Sequence, residues 1–147
     1  MNTTEEPGNS RDFASREKTD NADNERQLYV LYSYMFRPHC SVRIMPGWMP
    51  LLTQLHKDLD RELGIHKTRF TWSQIGEQFG RLTLYYLFKS DGENEEELAL
   101  SARVRQLTKA AADASTRTCQ VCGAPGRTVN LGGYVMTGCE FHLQVKT

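Results

Sequence analysis

The sequence predicts an α+β fold, because two segments with the apolar spacing of helices flank one segment with the alternation of β-strands. The first helical segment covers residues 48–63 and repeats large apolar side chains every three or four residues: Trp48, Leu52, Leu55, Leu59 and Leu63. Pro50 is tolerated in its first turn, and Gly64 is the expected C-cap.

The β-segment covers residues 68–90, where apolar side chains occupy alternate positions: Phe70, Trp72, Leu82, Leu84, Tyr86 and Phe88. This alternation predicts a small antiparallel sheet, with two strands joined near residues 77–80. Gly76 and Gly80 both weaken the first strand, which could therefore end early.

The longest helix is predicted to follow Ser90, because Ser90 and Glu93 have the spacing of a capping box. Acidic residues fill its first turns, where the helix dipole favours them. One apolar stripe then runs along the helix: Leu100, Val104, Leu107, Ala111 and Ala114. The alanines near its end would let it lie close against a sheet or another helix.

The first 27 residues contain Phe13 as their only large apolar side chain beyond Met1. Such a segment cannot bury enough surface to offset the entropy of ordering, so residues 1–27 are predicted to be a disordered acidic tail. Residues 28–36 are strongly apolar and predict a buried strand or a short helix, which periodicity does not distinguish. Residues 37–47 are predicted to be a loop, and the α+β core is expected to cover residues 28–117.

Charge is balanced over the whole chain, with 18 basic and 18 acidic residues, so it gives no general attraction to nucleic acid or anionic membrane. Residues 28–90 differ, with eight Lys or Arg against four Asp or Glu. An electrostatic contact surface would lie in this middle segment, although a solvated face is the simpler interpretation. Its candidate residues are Arg37, Arg43, Lys57, Arg61, Lys67, Arg69 and Arg81.

No apolar run approaches membrane-spanning length, and the polar N-terminus lacks the apolar core of a signal peptide. We therefore expect a cytoplasmic protein without a membrane partner. In a reducing compartment, closely spaced cysteines bind metal more often than they form disulfides.

The chain ends in two pairs of metal-ligand type. Cys119 and Cys122 form C-x-x-C, Cys139 and His142 form C-x-x-H, and sixteen residues separate the pairs. Zinc takes four such ligands at tetrahedral corners, and a tight turn can aim two ligands of this spacing at one ion. Turn-forming residues between the pairs predict a hairpin of residues 127–130 and 134–137. Residues 118–147 are therefore predicted to be a zinc ribbon.

Zinc is preferred to a redox C-x-x-C pair, which would not need Cys139 and His142. A catalytic ion has three protein ligands and an open position, so four strong ligands predict a structural zinc and no catalytic residues. Glu140, the nearest carboxylate in the sequence, is expected to face solvent. Cys40 has no ligand partner at a suitable spacing and is expected to be a small, partly buried core residue.

Aromatic and basic residues of the β-segment are the candidate partner contacts: Tyr85, Tyr86, Arg69 and Arg81. Tyr85 and Tyr86 point to opposite faces of a strand, so one of them is expected to be exposed. Aromatic side chains beside arginines can stack on nucleic-acid bases, but aromatic residues in strands mostly belong to the core.

Several motifs stand in order between residues 45 and 142: Gly47-Trp48, Gln74-Ile75…Phe79-Gly80-Arg81-Leu82…Tyr85, Thr118-Cys119…Cys122-Gly123-Ala124-Pro125-Gly126, and Cys139…His142. On these motifs the chain resembles a group of small bacterial and prophage proteins, and the cysteine segment is the most specific part of the resemblance. The resemblance implies a zinc ribbon and the setting of a mobile-element accessory protein. It does not imply an activity.

Three function classes follow from these observations, in order of preference. The first is a non-enzymatic, zinc-stabilised interaction module that binds a protein of a host or phage. The second is a nucleic-acid-binding protein that uses the ribbon and the basic middle segment. Residues 119–147 carry only Arg127 and Lys146 as fixed positive charges, which counts against it. The third is a zinc metalloenzyme, which would need an open coordination position and a general base.

Overall fold

A computed structural model of the chain describes residues 23–90 and 94–144, and within them the predicted α+β class is confirmed. The helices are residues 23–31 (α1), Met49–Leu63 (α2), Glu95–Ser115 (α3) and Glu140–Gln144 (α4). The strands are Phe36–Val42 (β1), Phe70–Gln78 (β2), Arg81–Phe88 (β3), Arg127–Leu131 (β4) and Tyr134–Gly138 (β5). Residues 1–22 of the predicted tail lie outside the described residues, whereas residues 23–27 belong to α1.

The larger sheet has the strand order β1-β2-β3. Strands β2 and β3 are antiparallel, as predicted, but β1 pairs with β2 in parallel, so the sheet is mixed. The connection from β1 to β2 contains helix α2, which returns the chain to the end of the sheet where β1 began. Strands β4 and β5 form a separate two-stranded sheet in the C-terminal ribbon.

Strand β1 occupies most of the segment that the sequence predicts to be a loop. It lies at the edge of the sheet, and its pairing with β2 shifts in register between Phe36 and Ser41. Pro38 fits there because a proline that donates no hydrogen bond is tolerated at a sheet edge or an irregularity. The preceding apolar segment is divided between the end of α1, a 3₁₀ turn at Ser33–Met35 and the start of β1.

The β2–β3 hairpin turns on two residues, Phe79 and Gly80. Both have positive φ, 52° and 75°, as the tightest hairpin turns require. The carboxylate of Glu77 accepts a hydrogen bond of 2.7 Å from the Gly80 amide, which satisfies a backbone donor at the turn. Gly76 does not end β2, which continues to Gln78.

The structure confirms the predicted C-cap of α2 but not the predicted N-cap of α3. Gly64 ends α2 with φ 50°, as the C-cap prediction requires, and its amide donates to the Asp60 carbonyl. Helix α3 begins at Glu95, and its N-cap is Asn94, whose side chain accepts from the Glu96 amide at 2.8 Å. Ser90 is therefore not the N-cap of α3, since a capping box there would start the helix before Asn94. Residues 91–93 lie outside the described part.

Helices α2 and α3 cover one face of the larger sheet. Their apolar side chains form a single core with those of the strands. Its largest fully buried apolar members are Met35, Trp48, Leu52, Leu59, Leu63, Phe70, Trp72, Ile75, Leu82, Leu100 and Val104. On the opposite face of the sheet, Tyr85 and Leu87 are exposed. The sheet thus has one face inside the core and one face in solvent.

His56 is a fully buried polar residue in this core, and both of its ring nitrogens are used. Nε2 lies 2.9 Å from the indole nitrogen of Trp72, and Nδ1 lies 2.7 Å from the Leu52 carbonyl oxygen. An indole N–H can only donate, so Nε2 must accept and Nδ1 must carry the proton. Burial lowers the pKa of His56 to about 4, against the opposing effect of the Leu52 carbonyl. The neutral ring is therefore part of the folded core.

Acidification should destabilise the fold through His56. The unfolded imidazole has a pKa of about 6.5, so it takes up a proton first, and stability falls as the pH drops from about 6.5 towards 4. Over this range the free energy of unfolding should fall by roughly 3 kcal/mol. His56→Gln, which does not titrate and keeps an acceptor for Trp72, is the matched control. Urea unfolding across this pH range measures the free energy of unfolding of both proteins. The wild-type value minus the variant value should become smaller as the pH falls. A difference that stays constant would contradict a neutral, buried His56.

Candidate metal centre

The ribbon brings its two ligand pairs together through a short hairpin and two tight turns. Gly132 and Gly133, with φ of 66° and 100°, join β4 to β5, and the Asn130 side chain accepts from the Gly133 amide at 2.7 Å. In the first ligand turn, the Gly123 amide donates to the Cys119 carbonyl at 2.9 Å, and Gly123 has φ 82°. The second pair lies at the junction of β5 and α4. The predicted hairpin is confirmed with one more residue in each strand.

The four predicted ligand atoms converge around one position. The sulfur atoms of Cys122 and Cys139 are 3.8 Å apart, and His142 Nδ1 lies 3.4 Å from the Cys119 sulfur and 3.1 Å from the Cys139 sulfur. All four donor atoms lie within 4.8 Å of one another. Thiolates bound to zinc at about 2.3 Å in a tetrahedron would be about 3.8 Å apart. The group therefore has the geometry to hold one metal ion, with His142 ligating through Nδ1.

The backbone prepares Cys119 to act as a thiolate. Its side chain is buried, which by itself would raise the pKa of the thiol. Hydrogen bonds from the backbone amides of Cys122, Cys139 and Val121 outweigh burial and lower the pKa of Cys119 to about 6. These amides also fix the turn around the sulfur, since they come from both ligand pairs.

The first ligand turn is packed directly against the core at Gly47 and Trp48. The Gly47 amide donates to the Gln120 carbonyl at 2.7 Å, and the indole N–H of Trp48 donates to the Thr118 carbonyl at 2.9 Å. A Cβ atom on Gly47 would lie 2.1 Å from the Cys119 carbonyl oxygen, so only glycine fits at this contact. Trp48 thus has its ring in the core and its polar end on the ribbon.

A second contact joins the ribbon to the β2–β3 turn. The Thr137 hydroxyl donates to the Gly80 carbonyl at 2.6 Å, and a Cβ on Gly80 would lie 3.0 Å from the backbone of Met136. Thr137 is fully buried, and Gln120 bonds its amide and its carbonyl, at 2.7 Å and 3.0 Å. The ribbon is therefore held on the core at two glycines. Neither Gln120 nor Thr137 is recognisable from sequence, because polar residues in a loop and a short strand are ordinarily solvated.

The four candidate partner contacts do not form one surface. Tyr85 is 55% exposed, whereas Tyr86 packs on Phe70 with ring centroids 5.3 Å apart. The expectation that one of the two tyrosines is exposed is confirmed. Arg69 and Arg81 each contact a carboxylate of α3, Glu97 and Asp113 respectively, at 2.7 Å. Both arginines thus link the sheet to a helix.

Ion pairs neutralise much of the basic middle segment. Four of its seven candidate cations have carboxylate partners: Arg61 with Asp58, Lys67 with Asp60, Arg69 with Glu97, and Arg81 with Asp113. Hydrogen bonds from Lys109 and Arg81 lower the pKa of Asp113 to about 2, so this carboxylate stays charged. The segment's excess of positive charge is therefore a poor guide to a polyanion surface.

Two other expectations also hold in the structure. Cys40 is half-buried against the core, where burial raises the pKa of its thiol. Glu140 is exposed at the start of α4. None of the described helices is both long and apolar enough to span a membrane.

No protein-family model matches the chain, and neither a curated protein nor a solved structure is significantly similar to it. The function must therefore be argued from the geometry of this molecule.

Replacing one of the three thiolate ligands should remove the metal and unfold the ribbon. Cys139→Ser deletes a thiolate at the junction of β5 and α4, and structural zinc contributes on the order of 10 kcal/mol to the folding of small zinc domains. We expect one metal ion per chain in the wild type and none retained in the variant. Metal analysis and hydrogen exchange across residues 118–144 would measure both effects. Cys40→Ser, a thiol outside the cluster, is the control and should keep the ion; metal retained by Cys139→Ser would disprove the ligand set.

Proposed function

We propose that this chain is a non-enzymatic interaction module whose C-terminal ribbon is held by a structural zinc ion. The observation that carries the proposal is the convergence of three cysteine sulfurs and one histidine nitrogen around a single position. Soft thiolate ligands favour zinc over magnesium or calcium, and three thiolates with one imidazole complete its tetrahedron. Within the described residues, this is the only group of His, Cys, Asp and Glu side chains close enough to hold a metal ion.

The surroundings of the four ligands support a structural role. A catalytic zinc needs an open position for water and a nearby general base. Glu140 is the nearest carboxylate in sequence, but it is exposed at the start of a short helix. The metal would instead replace a core that the ribbon lacks, because Cys119, Met136 and Leu143 are its only buried apolar side chains among the described residues.

A protein partner is proposed first, and Phe79 supports it. Phe79 is 70% exposed at the tip of the β2–β3 hairpin, with a φ of 52° that bulky residues avoid. Asn or Gly would suit this turn better, and the phenyl ring gains little burial in the isolated chain. Strained residues that the fold does not need are enriched at functional sites. Phe141 of the ribbon, 69% exposed, adds a second aromatic side chain in solvent.

The resemblance of its motifs to those of bacterial and prophage proteins supports a role for this module as a mobile-element accessory protein. The proposed partner is accordingly a protein of the phage or of its host. Nucleic acid is the second candidate, and the solvent-facing side of the larger sheet favours it.

Cobalt substitution should reveal a closed coordination sphere. Co²⁺ in the site should give a tetrahedral thiolate spectrum, and azide, which binds open positions, should leave it unchanged. His142→Gly removes one ligand and supplies the positive control, since its cobalt spectrum should respond to azide. A wild-type response to azide would favour the metalloenzyme alternative.

Phe79→Asn should weaken partner capture without weakening the fold. Asparagine tolerates positive φ, so the melting temperature should stay the same or rise. With the zinc-loaded chain as bait, we expect a nuclease-resistant protein partner to be recovered by the wild type and reduced at least about tenfold by the variant, as for an interface hot spot. Leu98→Gln, at a half-exposed apolar position on α3, is the control. Equal recovery by all three baits would exclude Phe79 from the contact.

A further inference from the structure

The solvent-facing side of the three-stranded sheet is a distinct surface, here called the open face. The pairing register alternates between core pairs such as Ile75 with Leu84 and outward pairs such as Gln74 with Tyr85 and Gly76 with Thr83. Arg43 follows the end of β1 beside Gly76, and its amide donates to the Ile75 carbonyl at 2.9 Å. The open face is defined by Arg43, Gln74, Gly76, Thr83, Tyr85 and Leu87.

We propose that the open face binds single-stranded nucleic acid, with a base stacked on Tyr85 and a backbone phosphate at Arg43. This goes beyond the interaction module proposed above, because it uses neither the ribbon nor Phe79. It assigns one class of partner to one surface.

The charge of the open face is complementary to a polyanion. None of its residues carries a carboxylate, whereas α2 and α3 on the other side carry the partners of the ion pairs. Glu77, the one acidic residue of β2, belongs to the other face by register and is bonded to the Gly80 amide. Arg43 is exposed. Phosphates would therefore meet a positive charge here and no opposing negative charge.

Gly76 lies at the centre of the open face, opposite Thr83. It lies in the central strand, where glycine weakens a sheet, and its φ is not positive. A Cβ there would meet Thr83 Oγ1 at 3.4 Å and Gln74 Nε2 at 3.6 Å, which are ordinary contacts. Neither backbone conformation nor packing requires glycine at this position. Gly76 is itself buried beside the side chains of Gln74 and Thr83, which therefore form the surface that a base next to Tyr85 would meet.

The side chains next to Gly76 and the exposed Tyr85 match an exposed base. The Tyr85 ring is 55% exposed, whereas its neighbour Tyr86 belongs to the core. The amide of Gln74 and the hydroxyl of Thr83 can donate and accept hydrogen bonds to base edges. Stacking and edge contacts of this kind need unpaired bases, which a duplex keeps inside its helix. Single strands are therefore the form of nucleic acid that this surface fits.

Binding can be measured by fluorescence anisotropy on the zinc-loaded full chain. The probes are labelled oligo(U) and oligo(dT) of about ten nucleotides, a length in the range that such surfaces cover, and a duplex of equal length. We expect saturable binding of the single strands, weaker binding of the duplex, and affinity that falls as salt increases.

Variants then locate the contact. Tyr85→Ala should weaken binding about tenfold or more, as loss of one stacked base does. Tyr134→Ala removes a similarly exposed tyrosine from the ribbon and should have no effect. Arg43→Gln should weaken binding more than Arg127→Gln, although both remove one positive charge.

Equal effects of Tyr85→Ala and Tyr134→Ala, or no saturable binding of any single strand, would overturn the proposal. The proposal would also be overturned if the wild type captured a protein in the presence of nuclease and Tyr85→Ala did not. The open face would then bind a protein. None of these outcomes would contradict the structural zinc or the Phe79 contact. The cobalt spectrum with azide tests the zinc site, and Phe79→Asn tests the Phe79 contact.

Discussion

The hydrogen bond from the Trp48 indole to the Thr118 carbonyl joins the centre of the core directly to the C-terminal ribbon. Trp48 is the N-cap of α2 and fills the core, while Thr118 immediately precedes Cys119. Gly47 beside it allows the Cys119 carbonyl an approach that any side chain would block. A metal ion bound by the Cys and His cluster would therefore stabilise a ribbon that is in direct contact with the core.

The core provides the fixed surface on which the ribbon docks. Its centre is a cluster of rings in which His56 stacks on Phe36 and accepts from Trp72, so a polar group fixes how the aromatic side chains are oriented. Fully satisfied buried polar groups of this kind favour one packing over alternatives. At the edge, the buried Glu97 with Arg69 joins α3 to the start of β2. The ribbon docks on a surface already defined by these contacts.

Local patterns were enough to predict α2, the β2–β3 hairpin, the ribbon hairpin and the four ligands, because each depends on residues close together in sequence. Strand β1 was missed because Pro38 and an irregular register hide its alternation, and the parallel pairing depends on a distant strand. The start of α3 was misplaced because Ser90 and Asn94 are both plausible caps by residue type. The docking contacts of Gln120 and Thr137 could not be predicted, since they exist only after the ribbon meets the core. The excess of basic residues in residues 28–90 was a poor predictor of a charged contact surface for a similar reason. The carboxylates that pair with these residues lie on other elements or on another helical turn.

The position of the two docking glycines in the chain also has a consequence for how the protein is made. Gly47 and Gly80 both precede Cys119, so a ribosome completes the receiving surface before it releases the first thiolate. Domains generally fold in the order of synthesis. The ribbon can accordingly dock only after this part of the core has been synthesised. A nascent chain stopped before residue 118 would leave the indole N–H of Trp48 without its carbonyl partner, a local signature of an unfinished molecule.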